Sequence, residues 1–357
     1  MSDELRAWRV TDPDAWNAFV EAAPYHAFPQ LWEWGEVRAA GGWRPLRLAV
    51  GPSPGEPIAG AQLLLRRIPV LGWHLAYVPR GPIGQLDDPA VRDALVRALR
   101  ALGRAERIAT VRTDPEVTLD RPYGAAMMQP PWRSAPKVQP PITRVVDLSV
   151  GVDALRANLR RKHRQYVNKA EREGVAIERI DAAAPAELIG PALADFNRIY
   201  HGTARRAGFV ARQPAYYERV WSTFAPTGRV RLSFAVLAGE RVATLFHFTC
   251  GDRAVESYGG MTDAGAEARA NYLLKWTAMT DFARDGFATY DMWGLATGGI
   301  RQFKEGFGGE EIEYVGARDL PLRRGPDAIL RLGLPAYGLA QRARLRLRAR
   351  APAVEGV

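Results

Sequence analysis

The hydrophobic and polar positions of this chain fall twice into the same order. Residues 46–50 and 58–67 alternate as strands around the Gly51-Pro-Ser-Pro-Gly55 turn, and 75–78 reads as a third strand before Arg80-Gly-Pro82. A helix from about 89 to 102 and a strand at 108–112, leading to Asp114, complete the set. In the second half, 229–237 and 241–249 flank Ala238-Gly-Glu240, and 254–258 runs into the Gly259-Gly260 break. A helix over 269–284 then precedes a strand at 288–290 that ends in Asp291. Strand, strand, strand, helix, strand in both halves predicts two related α/β domains, each a mixed sheet with helices on its faces.

That order is the layout of a GNAT-type acyltransferase fold used twice. Prolines at 130, 131, 136, 140 and 141 exclude regular structure over 129–144 and mark the break between halves. The expected organisation is therefore a first GNAT-like domain over 1–140, a second over 141–320, and a basic helical tail over 321–357. A second proline-bounded stretch, 182–191, is expected to separate a basic helix from a helix over 192–206.

The basic helix is predicted over 152–173. Leu155, Leu159, Tyr166, Val167 and Ala170 recur at helical spacing, and Gly174 ends it. Its other face holds Arg156, Arg160, Arg161, Lys162, Arg164, Lys169 and Arg172. Charge changes the picture here, because the net +10 is concentrated. Residues 153–173 carry a net +4 and residues 323–350 a net +7, so the rest of the chain is close to neutral. Two basic features on a neutral body point to polyanionic contacts, with a solvated helix face as the alternative. The tail has three open readings: tRNA, an anionic inner membrane surface, or packing against the first domain.

The remaining composition mainly excludes. A lone cysteine, Cys250, rules out an intramolecular disulfide and a multi-cysteine zinc site; no metal is expected, and a reducing compartment fits. No apolar run approaches the roughly 20 residues of a membrane span, and the first ten residues lack an apolar signal core. A cytoplasmic protein, peripheral at most to the inner membrane face, is expected.

Candidate chemistry gathers at Tyr290-Asp-Met-Trp-Gly294 and Arg301-Gln-Phe-Lys-Glu-Gly-Phe-Gly-Gly309. Glycines at this density predict a loop that presents Phe303 and Lys304. Only five of the 49 basic residues are lysine, so a lysine in such a loop points to a need for a compact, rotatable ammonium. The plainer alternative is a solvated lysine beside a packed phenylalanine. His163, His201 and His247 are scattered, and Asp291 reads as a turn cap, so no general base is assigned.

Several segments together resemble the Fem family of non-ribosomal peptidyltransferases. They are Phe28-Pro-Gln-Leu-Trp-Glu-Trp-Gly-Glu-Val-Arg38 with Gly42-Trp43, Tyr77-Val-Pro-Arg-Gly-Pro82, Asn158-Leu-Arg-Arg-Lys162, Ala207-Gly-Phe-Val-Ala-Arg212, Ser257-Tyr-Gly-Gly260, and the two loop motifs above. They run in order from about residue 16 to 320. The resemblance implies two GNAT-like domains meeting at a cleft, and the content of 204–275 implies the type without a coiled-coil arm. It implies transfer of an amino acid from aminoacyl-tRNA to an amine on the stem peptide of a peptidoglycan precursor, without a cofactor. On this resemblance Arg38 and Arg212 bind the precursor's diphosphate, Tyr258 hydrogen-bonds to it, and Phe303 with Lys304 meets the aminoacyl end of the tRNA. Arg160, Arg161, Lys162 and Arg164 would follow the tRNA backbone. Two rivals stay open: an acyl-CoA-dependent N-acyltransferase, which lacks its pyrophosphate loop here, and a non-catalytic RNA- or membrane-binding protein.

Overall fold

The computed structural model describes residues 5–68, 72–295 and 298–331. The first half comprises β1 (Arg6–Arg9), α1 (Pro13–Ala22), α2 (Trp32–Ala39), β2 (Arg44–Gly51), β3 (Ala59–Arg67), β4 (His74–Val78), β5 (Ile83–Gly84), α3 (Pro89–Ala105), β6 (Ile108–Thr113), α4 (Pro122–Met127) and β7 (Arg133–Ser134). The apolar stripe of α3 (Val91, Ala94, Leu95, Ala98, Leu99, Leu102) lies on the sheet. Asp88 caps this helix by accepting the Ala90 N–H at 2.7 Å.

The second half holds β8 (Ile142–Asp147), α5 (Val152–Asn158), α6 (Arg161–Arg172), β9 (Ala176–Ile180), α7 (Ala186–Ala207), α8 (Pro214–Phe224) and β10 (Val230–Leu237). It continues through β11 (Glu240–Cys250), β12 (Arg253–Met261), α9 (Asp263–Glu267), α10 (Ala270–Arg284), β13 (Thr289–Asp291), α11 (Gly299–Glu305), β14 (Glu310–Glu313) and β15 (Arg318–Pro321). The repeated order is present as β2-β3-β4-α3-β6 and β10-β11-β12-α10-β13. Within each half the helix crosses between two parallel strands, β4 with β6 and β12 with β13, in an otherwise antiparallel sheet. The fold is two tandem GNAT-like domains, and 204–275 is filled by the end of α7, α8, three strands, α9 and the start of α10 where an arm would lie.

Four local expectations differ from the structure. The stretch 129–144 contains β7 and the start of β8, because backbone between prolines still pairs with a neighbouring edge. The basic helix breaks at Leu159 and Arg160 into α5 and α6. There Leu159 is buried and the Arg160 N–H leaves the helix to donate to the Gly306 carbonyl at 2.9 Å. Helix α7 begins at Ala186 and runs through Pro191, which lies on its exposed side, where water can take the freed carbonyl. Finally β15 crosses back and pairs with β6 and β7, so 318–320 join the first sheet.

Past β15 the chain stays on the first domain as far as it is described. Asp327 accepts from Thr110 Oγ1 at 2.6 Å and pairs with Arg133, and Leu330 is buried. The expectations for the rest of the tail, with its leucines and arginines, fall on 332–357, outside the described residues.

Three apolar layers build the molecule. One packs α3 on the first sheet, and another packs α5, α6 and α10 on the second. The third lies between the sheets and draws Trp16, Phe28, Trp34, Leu64 and Tyr77 from the first domain with Phe196, Tyr217, Trp221, Phe246 and Phe248 from the second. Buried charges cross the same boundary: Arg253 pairs with Glu116 at 2.7 Å and Asp291 at 3.1 Å, and Glu116 meets Arg80 at 3.2 Å. Two domains that share a core and a buried ion network hold one relative position.

Candidate functional site

The parallel pair β12–β13 is short. Pairing joins Arg253, Ala254 and Val255 to Thr289, Tyr290 and Asp291, after which β12 continues to Met261 and the other strand ends in irregular backbone at 292–295. Beyond Val255 and Asp291 the two strands are no longer paired, which opens the ladder near the sheet's centre. Asp291 fixes the turn by accepting the Trp293 N–H at 2.7 Å, and Trp293 takes a left-handed φ of 56°, uncommon for a bulky residue.

Lys304 stands on the loop side of this opening. It lies on α11, and its Nζ donates to the carbonyls of Met292 (2.6 Å), Trp293 (3.2 Å) and Gly294 (2.9 Å). The lysine is therefore half-buried, not presented on a solvated loop as the glycines suggested. Its three donors match three backbone acceptors that the Trp293 turn aims at one point. Burial, with the nearby Lys275 charge, lowers its pKa from 10.5 to about 8; Glu256 and Asp291 pull the other way.

Beside it runs a buried polar chain that sequence reading did not anticipate. Lys275 Nζ donates to both Glu256 oxygens at 2.7 Å, the Tyr290 hydroxyl donates to Glu256 at 2.7 Å, and His247 Nε2 lies 2.8 Å from that hydroxyl. Burial favours protonated Glu256, yet Lys275, Lys304 and His247 hold its pKa below the usual value. Burial likewise drives His247 down to about 3, so it is neutral at pH 7. A signal existed: Lys275 sits within the apolar run Leu273, Leu274, Trp276, and Glu256 follows Ala254 and Val255.

A bulge at Ser257 separates two functions of β12. Phe246 faces Tyr258 while His247 faces Glu256, so the register skips Ser257 and sends Glu256 and Tyr258 to opposite faces. Phe303 joins the Glu256 side. Its ring meets Tyr272 and Phe307 edge-on at 4.9 and 5.2 Å and lies 5.2 Å from the Lys275 ammonium. His163 Nε2 lies 2.9 Å from the Phe303 carbonyl, and its imidazole passes so close to Gly306 that a Cβ there would sit 1.8 Å from Cε1. Phe303 is thus a half-buried member of an aromatic cluster.

Arg38, Arg212 and Tyr258 belong to the layer between the domains. Arg38, in the last turn of α2, lies 5.5 Å from the Trp43 ring, and Arg66 lies 5.4 Å from the same ring. Helix α2 packs on α8. Just before α8, the exposed Arg212 lies 5.8 Å from the Tyr216 ring and its N–H donates to the Tyr217 hydroxyl at 3.1 Å. Tyr258 packs edge-on to Tyr217 at 5.2 Å; burial among Tyr216, Tyr217 and Tyr200 pushes its pKa well up, so it is a neutral donor. Arg212 and Tyr258 are linked through Tyr217, Arg38 stands beside Trp43 on the same inter-domain core, and Trp293, whose carbonyl Lys304 meets, packs on that core as well.

The four basic candidates at the start of α6, Arg160 preceding it and Arg161, Lys162 and Arg164 within it, are unequal. Arg160 pairs with Glu305 at 3.2 Å, and Arg164 donates to the Ala157 carbonyl at 2.9 Å, tying down the end of α5. Arg161 and Lys162 are solvent-exposed. A groove of about 390 Å³ opens elsewhere on the domain boundary, along Tyr25, Glu116, Arg253, Thr289 and Tyr314, and contains none of the candidate residues. No described helix is long and apolar enough to cross a membrane.

Comparison with known proteins follows the two halves. A FemAB family model matches residues 11–127 and an acetyltransferase (GNAT) domain model matches 155–305. The lipid II:glycine glycyltransferase of Staphylococcus saprophyticus subsp. saprophyticus is 27% identical over 240 residues, 64% of this chain and 55% of that protein. The enzyme of the same description from Staphylococcus aureus is 27% identical over 228 residues, 60% of this chain and 52% of the relative. The chain spans about half the length of the curated relatives it matches. The crystal structure of FemX superposes with a TM-score of 0.81 at 20% identity, over 92% of this chain and 99% of that one. A tandem GNAT protein from the clavulanic acid biosynthesis pathway gives 0.53 at 13% identity, over 90% of this chain and 100% of the other.

Proposed function

We propose that this chain, whose residues 11–127 match a FemAB family model, transfers an amino acid from aminoacyl-tRNA to an amine on the stem peptide of a peptidoglycan precursor. The observation that carries this reading is the similarity to lipid II:glycine glycyltransferases over 64% of the chain, beside the FemAB family match to its first half. Glycine is accordingly the first amino acid to test, and a lipid-linked muropeptide the first acceptor.

The chemistry needs little beyond placement and charge. The acceptor amine attacks the ester carbonyl, a carbon–nitrogen bond forms, and the ribose oxygen leaves with the proton that the amine gives up. Negative charge grows on the carbonyl oxygen in between. Lys304 supplies a cation beside the β12–β13 opening, where one donor to such an oxygen is typically worth on the order of 10²–10³ in rate. To reach it the ammonium exchanges one of its three carbonyl partners for the developing oxyanion. Phe303 acts by packing, holding α11 against Tyr272 and Lys275 so that Lys304 stays aimed. Arg38 and Arg212 supply planar, permanently charged forks for a diphosphate, and Tyr258 a neutral donor beside them. Arg161 and Lys162 supply exposed charge for an RNA backbone.

The test is a mass shift. Purified protein is incubated with a mixed charged-tRNA pool and either a nucleotide-linked or a lipid-linked muropeptide. The expected product gains one aminoacyl residue, requires intact charged tRNA, and disappears with Lys304→Ala. No gain with either acceptor and every charged tRNA refutes the assignment and brings acyl-CoA donors forward.

A further inference from the structure

The α7–α8 connection holds large apolar side chains out in solvent. Val210 is 97% exposed, the highest value for a large apolar side chain among the described residues, and its neighbour Phe209 is 41% exposed. The loop is built to hold them out. Gly208 takes a left-handed φ of 72° to end α7, the Phe209 N–H donates to the Ala204 carbonyl at 3.1 Å, and the Arg212 N–H is tied to Tyr217. Arg205, Arg206 and Arg212, all exposed, surround the tip, and no acid occurs between Asp195 and Glu218. Arg206 reaches Asp263 at 3.7 Å, a solvated pair that leaves its charge available.

We propose that this loop docks on an anionic phospholipid surface, with Val210 and Phe209 entering the headgroup–acyl boundary and the arginines meeting lipid phosphates. An aliphatic side chain held in water gains by burial in hydrocarbon, whereas an RNA offers base faces that favour aromatic partners. Three exposed arginines, of which only Arg206 has a carboxylate partner and that one solvated, complement a negative leaflet. The placement rests in one respect on the proposed function. Arg212 and Tyr258 sit at the root of the loop, so a diphosphate bound there lies at headgroup level and a prenyl chain attached to it can stay in the bilayer.

The experiment uses the full chain and needs no substrate, so its outcome is separate from that of the transfer assay. Cys250 is buried and its thiol pKa is pushed up by that burial, so Val210→Cys gives one labelling site for an environment-sensitive fluorophore. With phosphatidylcholine–phosphatidylglycerol vesicles the probe is expected to brighten and shift to the blue, with little response to phosphatidylcholine alone. In sedimentation, Val210→Asp should lower partitioning about ten-fold, from the apolar area lost. Arg205→Ala should lower it about five-fold. Unchanged partitioning of Val210→Asp, or sedimentation without a probe response, overturns the proposal and assigns any binding to another part of the chain. A probe response to charged tRNA or a soluble muropeptide, and none to vesicles, overturns it too and makes the loop a substrate contact.

Discussion

Replacing Lys304 by Met separates a catalytic cation from a structural tie. Methionine keeps the length of the side chain and removes the ammonium. The drop in pKa from 10.5 to about 8 means that the folded protein holds the charged lysine at a cost of about 3 kcal/mol relative to water. Removing the charge recovers that cost. Leaving the Met292, Trp293 and Gly294 carbonyls without their donor takes back about 1–3 kcal/mol. The two nearly cancel, so urea denaturation at pH 7 should show Lys304→Met within about 2 kcal/mol of the parent protein. Aminoacyl transfer should fall on the order of 10²–10³ if the ammonium meets the oxyanion.

The same pKa sets a pH signature. A lysine whose folded pKa lies below its unfolded value binds fewer protons when folded between about pH 8 and 10.5, so the native state gains stability as pH rises through that window. Lys304→Met should lack this gain. The rate behaves oppositely: the cation is lost above about pH 8, so transfer should decline on the alkaline side, and Lys304→Arg should move that decline upward. A stability loss above about 3 kcal/mol with transfer reduced less than three-fold would refute the reasoning. Lys304 would then be a tie that holds the 292–294 turn.

Other substitutions test the surrounding parts. Lys275→Met strands the Glu256 carboxylate in the core and should cost about 3–5 kcal/mol in urea denaturation, with Lys275→Met/Glu256→Gln less damaging than the single change; a cost under about 1 kcal/mol speaks against the pair. Gly306→Ala drives a Cβ into the His163 ring and should cost about 1–3 kcal/mol, partly restored by adding His163→Ala; strict additivity of the two would mean the contact is absent. Arg38→Ala and Arg212→Ala should each raise the KM for the muropeptide about ten-fold or more while leaving kcat near its starting value, and a fall in kcat alone contradicts a diphosphate role. His247, neutral down to about pH 3 when folded, makes stability fall with acid between about 6.5 and 3, because the unfolded chain takes a proton that the native state refuses. His247→Gln should flatten that part of the curve.

Much of the fold was legible because strand alternation and glycine breaks are local properties. The β2-β3-β4-α3-β6 order and its repeat could be read without knowing a single tertiary contact. The missed strands are those that depend on a neighbour. Residues 310–313, Glu-Glu-Ile-Glu, carry little intrinsic strand signal and pair because β8 offers an edge. The break at Leu159 has neither glycine nor proline; it follows from the Arg160 bond to Gly306, which comes from far along the chain. Lys304 stood out by scarcity and glycine context, yet its carbonyl cage required the left-handed turn at Trp293, which no residue type announces. Glu256 and Lys275 were visible as charges in apolar runs, but their pairing requires α10 to lie against β12.

The two halves repeat a fold but treat its central opening differently. In the first half, β4 and β6 pair in parallel from His74–Ile108 to Val78–Thr113, and the strand ends are then fastened together. Asp114 accepts the Tyr77 hydroxyl at 2.8 Å and the Arg80 N–H at 2.8 Å, and Thr113 bonds the Gly81 carbonyl. In the second half the corresponding pairing stops at Val255 and Asp291, Asp291 turns its side chain to Arg253 and Trp293, and the half-buried Lys304 stands beside the gap. A stitched opening cannot admit a reacting group, whereas a splayed one flanked by an ammonium can. On the proposed reading the first half contributes Arg38 and its Trp43 face to holding a substrate, together with Arg212 and Tyr258 of the second half, whereas the chemistry falls to the second half alone. Substitutions at Arg38 should then register in KM and substitutions at Lys304 in kcat, and the buried Arg253–Glu116 pair joins the two roles in one rigid unit.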